Sequence, residues 1–526
     1  MGNFYLKLGK TFILLLLGLG FSIEVSWSQE QIITKATISE VAPATKRAYP
    51  KISAAIRQTR IRDQQATHSV SADAEVEAKI CPRDLGTEIE AIINRPEWKR
   101  SRWGILIQSQ TGSRVLYALN AQNYFIPASN VKLLTTAAAL RYLGADFRIR
   151  TSVSATGTIP NLTTLRLVGK GDPTLTTSKL QDLAKQLKNQ GVQRIEKLII
   201  EDSYFESPAI LPSWEWEDVN FYYGTAVNSL ILNENAVTLT LLPQQVGQPV
   251  ELNWSDDLAG KQWLVENEAV TATPGTSYAI EINGVLGKPV LQIQGELAAD
   301  SEPDPWGLAI LDPANYFLET WYTILETEGI IVEEKLITTT PELSNSAWEI
   351  EEISSPTLAE LIQQTNQPSN NLYADALLKT LGANSGTNSL VTLQQILTRL
   401  GVDPESYNLS DGSGLSRHNL VSPEAVVQTL RLMSKTKDGV IYRESLPVAG
   451  VNGTLKRRFL DTVLVGNLQA KTGTMTGVSA LSGYLDVSDY RSLVFSIIVN
   501  QSEQSVATQR QAIDEIVLLL SKLGSC

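Results

Sequence analysis

The segment Pro127-Ala128-Ser129-Asn130-Val131-Lys132-Leu133-Leu134-Thr135-Thr136-Ala137-Ala138-Ala139-Leu140 decides how the rest of the chain is read. Its Ala-rich, apolar run extends to Gly144, a C-terminal stop, and predicts a long buried helix with Ser129 at its N-terminal end. Ser129 and Lys132 stand at i and i+3, so they share a helix face and can meet. The helix N-terminus supplies positive potential and free backbone N–H groups, a setting that favours an oxyanion beside the serine. An alcohol needs a base to attack a carbonyl at neutral pH. Lys132 can serve if burial and a neighbouring cation disfavour its ammonium form, and Lys471 is a candidate for that cation. Ser-x-x-Lys alone carries little weight, since about one or two matches are expected at ordinary composition in a chain this long. A second match, Ser434-x-x-Lys437, lies in a polar stretch running into Asp438-Gly439 with no apolar helix behind it, and reads as background.

Working outward, Leu85, Ile89, Ile92 and Ile93 predict a helix that starts at Asp84 and ends before Pro96, and residues 103–110 and 114–118 predict a hairpin. From about 149 to 344, short strand-like runs alternate with helix patterns at 178–191 and 313–328, which reads as inserted material. Within it, 230–302 is almost all alternating strands and turns. Helical signals return at 357–364, 371–381, 389–400 and 423–434, and strands at 465–471, 479–487 and 492–500 precede a last helix from about 507 to 523. The hairpin and these three strands predict an α+β fold, a five-stranded, mostly antiparallel sheet with the terminal helices on one face. The expected division is a main domain of 81–148 with 345–526, an inserted α/β domain of 149–229 with 303–344, and a nested β-rich subdomain of 230–302.

The chain of 526 residues carries 56 acidic and 44 basic side chains, a formal charge of −12, and shows no basic patch to offset it. That balance argues against nucleic-acid binding. Beyond the N-terminus no apolar run is long enough to span a bilayer, so membrane contact is at most peripheral. Lys7 and Lys10, the apolar run 12–21 and Ser26-Trp27-Ser28 read as a secretory signal over 1–28, which implies export; the alternative is a retained anchor helix. No Cys follows the apolar run to carry a lipid. Residues 29–80 are polar and aperiodic and read as a flexible linker. Cys81 and Cys526 can pair in an oxidising compartment if the first and last helices pack side by side; the alternative is two unrelated thiols.

Two further motifs accompany Ser129. Ser369-Asn370-Asn371 follows Pro368 and opens a helix, placing a hydroxyl and an amide at a loop-to-helix junction; its plain reading is an N-cap. Ser406-Tyr407-Asn408 has the same pattern without that setting. Lys471-Thr472-Gly473-Thr474 occurs once, on a strand where Lys471 and Gly473 face one way and Thr472 and Thr474 the other. A glycine inside a strand marks a bulge or a close approach to the backbone. The plain alternative is an edge-strand lysine that deters aggregation.

In the order Ser-x-x-Lys, Ser-x-Asn, Lys-Thr-Gly, these motifs form the set of penicillin-binding proteins and active-site-serine β-lactamases. Over residues 81–526 the sequence resembles the D-alanyl-D-alanine carboxypeptidase/endopeptidase family of low-molecular-mass class C penicillin-binding proteins, the S13 peptidases. The resemblance rests on PASNVKLLTTAAAL, GKGDPTL, Tyr222-Tyr223-Gly224, PSNNLYADALLK, DGSGLSR and AKTGTMTG, and on the 240 positions between Ser129 and Ser369. It implies a β-lactamase/transpeptidase-like domain carrying a large insertion, and a periplasmic enzyme acting on peptidoglycan peptides ending in D-Ala-D-Ala. It further implies that Ser129 forms the acyl-enzyme with Lys132 as base, that Ser369 relays a proton to the leaving D-alanine, and that Asn371 holds the substrate amide. Lys471, Thr472, Gly473 and Thr474 would form the strand that binds the terminal carboxylate, with β-lactams as covalent inhibitors and no cofactor or metal. The backbone N–H groups of Ser129 and Thr474 would form the oxyanion hole. Asp411-Gly412-Ser413-Gly414 matches a family segment too, but reads as a turn.

Rival chemistries fit less well. A Ser-His-Asp hydrolase has only His68, in the expected linker, and His418 to draw on, without a Gly-x-Ser-x-Gly elbow. Two His and two Cys at these positions cannot supply a zinc site. A β-lactamase would need less chain and, in class A, Ser-Asp-Asn in place of Ser369-Asn370-Asn371. A non-hydrolytic penicillin-binding sensor shares every motif.

Overall fold

The computed structural model of the protein describes residues 79–526 except Ser113, residues 342–346 and Asp489. The expected signal, 1–28, and residues 29–78 of the expected linker lie outside the described residues.

Period-two alternation gives the central sheet two buried faces. Its strand order is Leu468–Met475, Val478–Asp486, Ser492–Asn500, Arg102–Ser109 and Val115–Leu119, with every neighbouring pair antiparallel. Trp103, Ile105, Ile107, Phe495, Ile497 and Val499 pack into a core with the terminal helices Leu85–Ile93 and Val506–Ser521. Leu106 and Val494 join the core on the other face, shared with the helices Val131–Leu143, Leu358–Asn366, Asn371–Ser385, Ser389–Leu400 and Pro423–Met433. This is the five-stranded sheet with flanking helices that the patterning predicts.

The Val131–Leu143 helix is the central element. Every residue from Val131 to Leu140 is buried, the state required of a helix without a polar face. Residues 80–81 meet the C-terminal residues on the opposite side of the sheet. The backbone N–H of Ile80 donates to Lys522 O at 2.8 Å, that of Gly524 donates to Ile80 O at 3.1 Å, and Cys81 is bonded to Cys526 with Cα atoms 5.7 Å apart.

Between Ser129 and Ser369 stands a second five-stranded sheet, ordered Ile331–Thr338, Arg194–Glu201, Asn161–Val168, Arg150–Thr158 and Trp348–Ser354. The last of these strands lies past residue 344, where the sequence places the end of the insert, and pairs antiparallel with Arg150–Thr158. Only Ile350 in it is buried, and the alternation begun by Trp348 and Ile350 breaks at Glu351-Glu352, next to a register shift in the ladder. Leu239, Leu241, Leu291 and Ile293, from the β-rich 230–302 stretch, pack into the same core as Leu165, Leu198 and Trp321. The insert's sheet and the 230–302 stretch therefore share a core, while Trp214, Val227 and Ile231 pack with Leu372, Ala376 and Leu415.

Candidate active site

Ser129 sits in the 3-10 turn Ala128–Asn130, which leads into the Val131–Leu143 helix. Ala128 adopts φ +47°, a left-handed conformation that costs roughly 1–3 kcal/mol in a residue with a Cβ and persists only where its surroundings enforce it. Two glycines show what enforces it. A Cβ on Gly473 would lie 2.6 Å from Pro127 O, and one on Gly414 would lie 1.9 Å from Ala128 O. The Leu468–Met475 strand and the loop around Gly414 thus press on the turn, and Ser129 stays partly exposed while its helix is buried.

Lys132 has no solvent exposure. Its Nζ donates to Ser129 Oγ at 3.0 Å, Asn371 Oδ1 at 2.6 Å and Ser413 O at 2.7 Å. Three acceptors match the three N–H bonds of an ammonium; the free base would instead accept from the serine hydroxyl. Burial brings its pKa down to about 7, against the opposing pull of Asp375 and Asp411. The lysine is therefore poised between base and conjugate acid at neutral pH.

Lys471 is equally buried, and its Nζ donates to Ser369 Oγ at 2.8 Å and Thr472 O at 2.9 Å. Burial first, and the charge of Lys132 second, hold it well below the usual lysine range. The sequence suggests that Lys471 depresses Lys132; the structure makes burial the cause at Lys132 and shows Lys471 feeling its neighbour's charge.

Ser369 holds φ +66° just before the Asn371–Ser385 helix. The N-cap is Asn370, whose side chain accepts from the Tyr373 N–H at 3.2 Å, which leaves the Ser369 hydroxyl for Lys471. Asn371 spans two elements: Oδ1 accepts from Lys132 and Nδ2 donates to Tyr223 O at 2.8 Å. On the strand, Thr472 Oγ1 donates to Thr454 Oγ1 at 2.8 Å, and Thr474 Oγ1 accepts from Arg510 at 3.1 Å. The sequence-predicted residues thus meet around the Ser129 turn. Ser406 donates to Asp403 O in a separate loop, Ser434 caps the C-terminus of the Pro423–Met433 helix, and His418 is exposed. His68 lies outside the described residues.

Sequence reasoning undervalued the 411–414 segment and missed Asp375. The carbonyls of Gly412 and Ser413 accept from Thr135 and Lys132, both at 2.7 Å, so the expected turn forms a wall of the site. Asp411 shapes it, accepting from the N–H groups of Gly414 at 2.7 Å and Ser416 at 2.6 Å, from Asn419 Nδ2 at 2.8 Å and from Trp214 Nε1 at 3.0 Å. Asp375, one turn beyond Asn371, accepts from the Gly412 N–H at 2.6 Å. Burial, and next the charge of Asp411, push its pKa up to about 7, with Lys132 opposing. A charged residue within Leu372-Tyr373-Ala374-Asp375-Ala376-Leu377-Leu378 was the available signal. The inserted chain also takes part, since Lys379 Nζ donates to the carbonyls of Glu206 and Pro208, both at 2.8 Å.

A serine held against a buried, near-neutral lysine has what acyl transfer needs, and the antiparallel sheet beside it sets the protein in the β-lactamase/transpeptidase-like class. The H. influenzae penicillin-binding protein 4 structure is similar in fold, with a TM-score of 0.73 and 24% identity over 82% of this chain and 98% of that one. The chain belongs to the D-Ala-D-Ala carboxypeptidase 3 (S13) family, whose model matches residues 85–523. It is 32% identical over 440 residues to the D-alanyl-D-alanine carboxypeptidase of Actinomadura sp. strain R39, covering 79% of this chain and 81% of the relative. To D-alanyl-D-alanine carboxypeptidase DacB of Haemophilus influenzae it is 26% identical over 418 residues, 76% of this chain and 85% of that one. The protein is a peptidase with serine carboxypeptidase function.

Proposed function

We propose that the enzyme removes terminal D-alanine from peptidoglycan stem peptides ending in D-Ala-D-Ala, and cuts the related cross-links, through an acyl-enzyme on Ser129. The observation that carries this reading is the fully buried Lys132 Nζ, 3.0 Å from Ser129 Oγ, in a setting where burial favours the free base. As the free base, Lys132 accepts the hydroxyl proton while Oγ attacks the carbonyl of the penultimate D-alanine. The backbone N–H groups of Ser129 and Thr474 receive the oxyanion. The proton taken by Lys132 is relayed by Ser369, hydrogen-bonded to Lys471, to the departing amine as the bond between the two D-alanines breaks, which restores the Lys132 free base and the Ser369 hydroxyl. Asn371 keeps Lys132 in place and has a second lone pair on Oδ1 for the substrate amide. Lys471, Thr472, Gly473 and Thr474 line the strand along which the substrate's terminal carboxylate lies. Water then releases the shortened peptide.

β-Lactams would acylate the same serine; a second structure of the H. influenzae protein is a complex with a β-lactam. A periplasmic site of action is supported by the signal pattern of 1–28 and by the Cys81–Cys526 bond, which suits an oxidising compartment. Among the described residues no helix is long and apolar enough to cross a membrane. We assign 81–148 with 345–526 to the catalytic domain and the residues between to the insert, with Trp348–Ser354 moved to the insert's sheet.

The test is release of D-alanine from a pentapeptide ending in D-Ala-D-Ala, alongside labelling by a fluorescent penicillin. Release, with labelling lost in Ser129→Ala, is the expected result. Labelling without release would favour a non-hydrolytic sensor, and labelling that survives in Ser129→Ala would remove Ser129 as nucleophile.

A further inference from the structure

An anion in a peptide-binding cleft needs a counter-charge that persists at working pH. Lys471, the cation that the motif offers for the terminal carboxylate, is poorly placed to give one. It is buried, its Nζ is engaged with Ser369 Oγ and Thr472 O, and burial together with Lys132 disfavours its ammonium form.

Arg510, in the first turns of the Val506–Ser521 helix, reaches the same strand from outside. Its Nη2 donates to Thr474 Oγ1 at 3.1 Å, and both residues are exposed. Thr474 shares its strand face with Thr472, so the guanidinium stands at the end of the row of hydroxyls on which a carboxylate would rest. The local charges leave Arg510 unbalanced. Arg458 and Asp514 face it, and Asp514 is paired with Arg458 through both guanidinium nitrogens that it meets. Arg417, which donates to Thr476 O at 3.0 Å, is offset by Glu215 at 3.1 Å. A guanidinium stays protonated throughout the pH range of enzymes and offers a planar fork that matches a carboxylate.

We propose that Arg510 is a substrate-binding residue that selects for a free terminal carboxylate, supplying the permanent positive charge beside Thr474. The proposal rests on the peptidase reading above for the identity of its ligand.

The experiment compares the wild type with Arg510→Gln and Arg510→Lys on two pentapeptides that differ only in ending as a D-alanine carboxylate or its carboxamide. Arg510→Gln is expected to lower kcat/KM on the carboxylate peptide by about 10-fold or more, chiefly through KM, the effect of losing a charge-assisted hydrogen bond. The carboxamide peptide should change less than about 2-fold, and Arg510→Lys should retain part of the preference. Acylation by benzylpenicillin and by its methyl ester repeats the comparison without peptidase turnover, so it decides on Arg510 even if no D-alanine is released. A variant Arg510→Gln that keeps the wild-type preference for the carboxylate, or that loses equally on both members of each pair, overturns the proposal.

Discussion

Lys132 and Asp375 are both buried, and each favours the charged form of the other against the pull of its own burial. They touch the same loop from two sides, Lys132 through Ser413 O and Asp375 through the Gly412 N–H. The pair therefore influences the pH at which the base becomes available.

The first prediction concerns that pH. Ser129 reacts while Lys132 is unprotonated, so acylation should rise as pH increases through about 7. Asp375→Asn keeps an acceptor for the Gly412 N–H but removes the anion that favours the lysine ammonium. Lys132 then loses its proton at lower pH, and the acid limb of the profile should move down by about half a pH unit or more. Rates of penicillin acylation measured from pH 5 to 9 read this directly. A profile that falls in height without moving would mean that Asp375 acts only on loop shape.

Lys132→Ala should slow acylation by roughly 10²–10⁴-fold, the usual share of a positioned base, with little loss of substrate binding. Rapid-mixing kinetics with a chromogenic β-lactam separate the two. An unchanged acylation constant would remove Lys132 from its role.

Gly414 holds φ +86° with Ala128 O in the space a Cβ would take, whereas Gly386, at φ +69°, has nothing near. Gly414→Ala should cost about 1–3 kcal/mol from overpacking, together with backbone strain, and should slow acylation by moving the Ser129 turn. Gly386→Ala should cost about 1 kcal/mol and leave acylation alone. Thermal melts and penicillin labelling of both variants make the comparison.

Reduction of the Cys81–Cys526 bond should lower stability by about 2–4 kcal/mol, because it frees a chain otherwise closed between positions 445 residues apart. Melting temperatures with and without reductant show it. A Cys81→Ser/Cys526→Ser variant should melt like the reduced protein and ignore the reductant.

Much of this was legible in the sequence because it is written in side chains. The buried helix announces itself in the apolar run after Ser129, and the sheet in its alternating strands. Ser434-x-x-Lys437 could be set aside because no apolar helix followed it, and Lys437 is indeed exposed. What could not be read is work done by backbone. The carbonyls of Ser413, Tyr223, Glu206 and Pro208 hold Lys132, Asn371 and Lys379, yet a carbonyl is the same in every residue. Asp375 was readable in principle as a charge inside an apolar helix. Trp348–Ser354 hid because its alternation lasts only from Trp348 to Glu351 before a second glutamate breaks it beside a register shift.

The clasp between the insert and the Asn371–Ser385 helix limits how far this enzyme can be shortened. Lys379 rests on two of the insert's carbonyls, Asn371 on a third, and Asp411 on the Trp214 indole. Excising the residues between the two sheets would strand a buried lysine and deprive Asp411 of a donor, and stranding a buried charge costs several kcal/mol. A minimal version pared to the sheet and its helices would need new partners at each of these points. The insert thus supplies hydrogen-bond partners that the sheet and its helices do not hold among themselves.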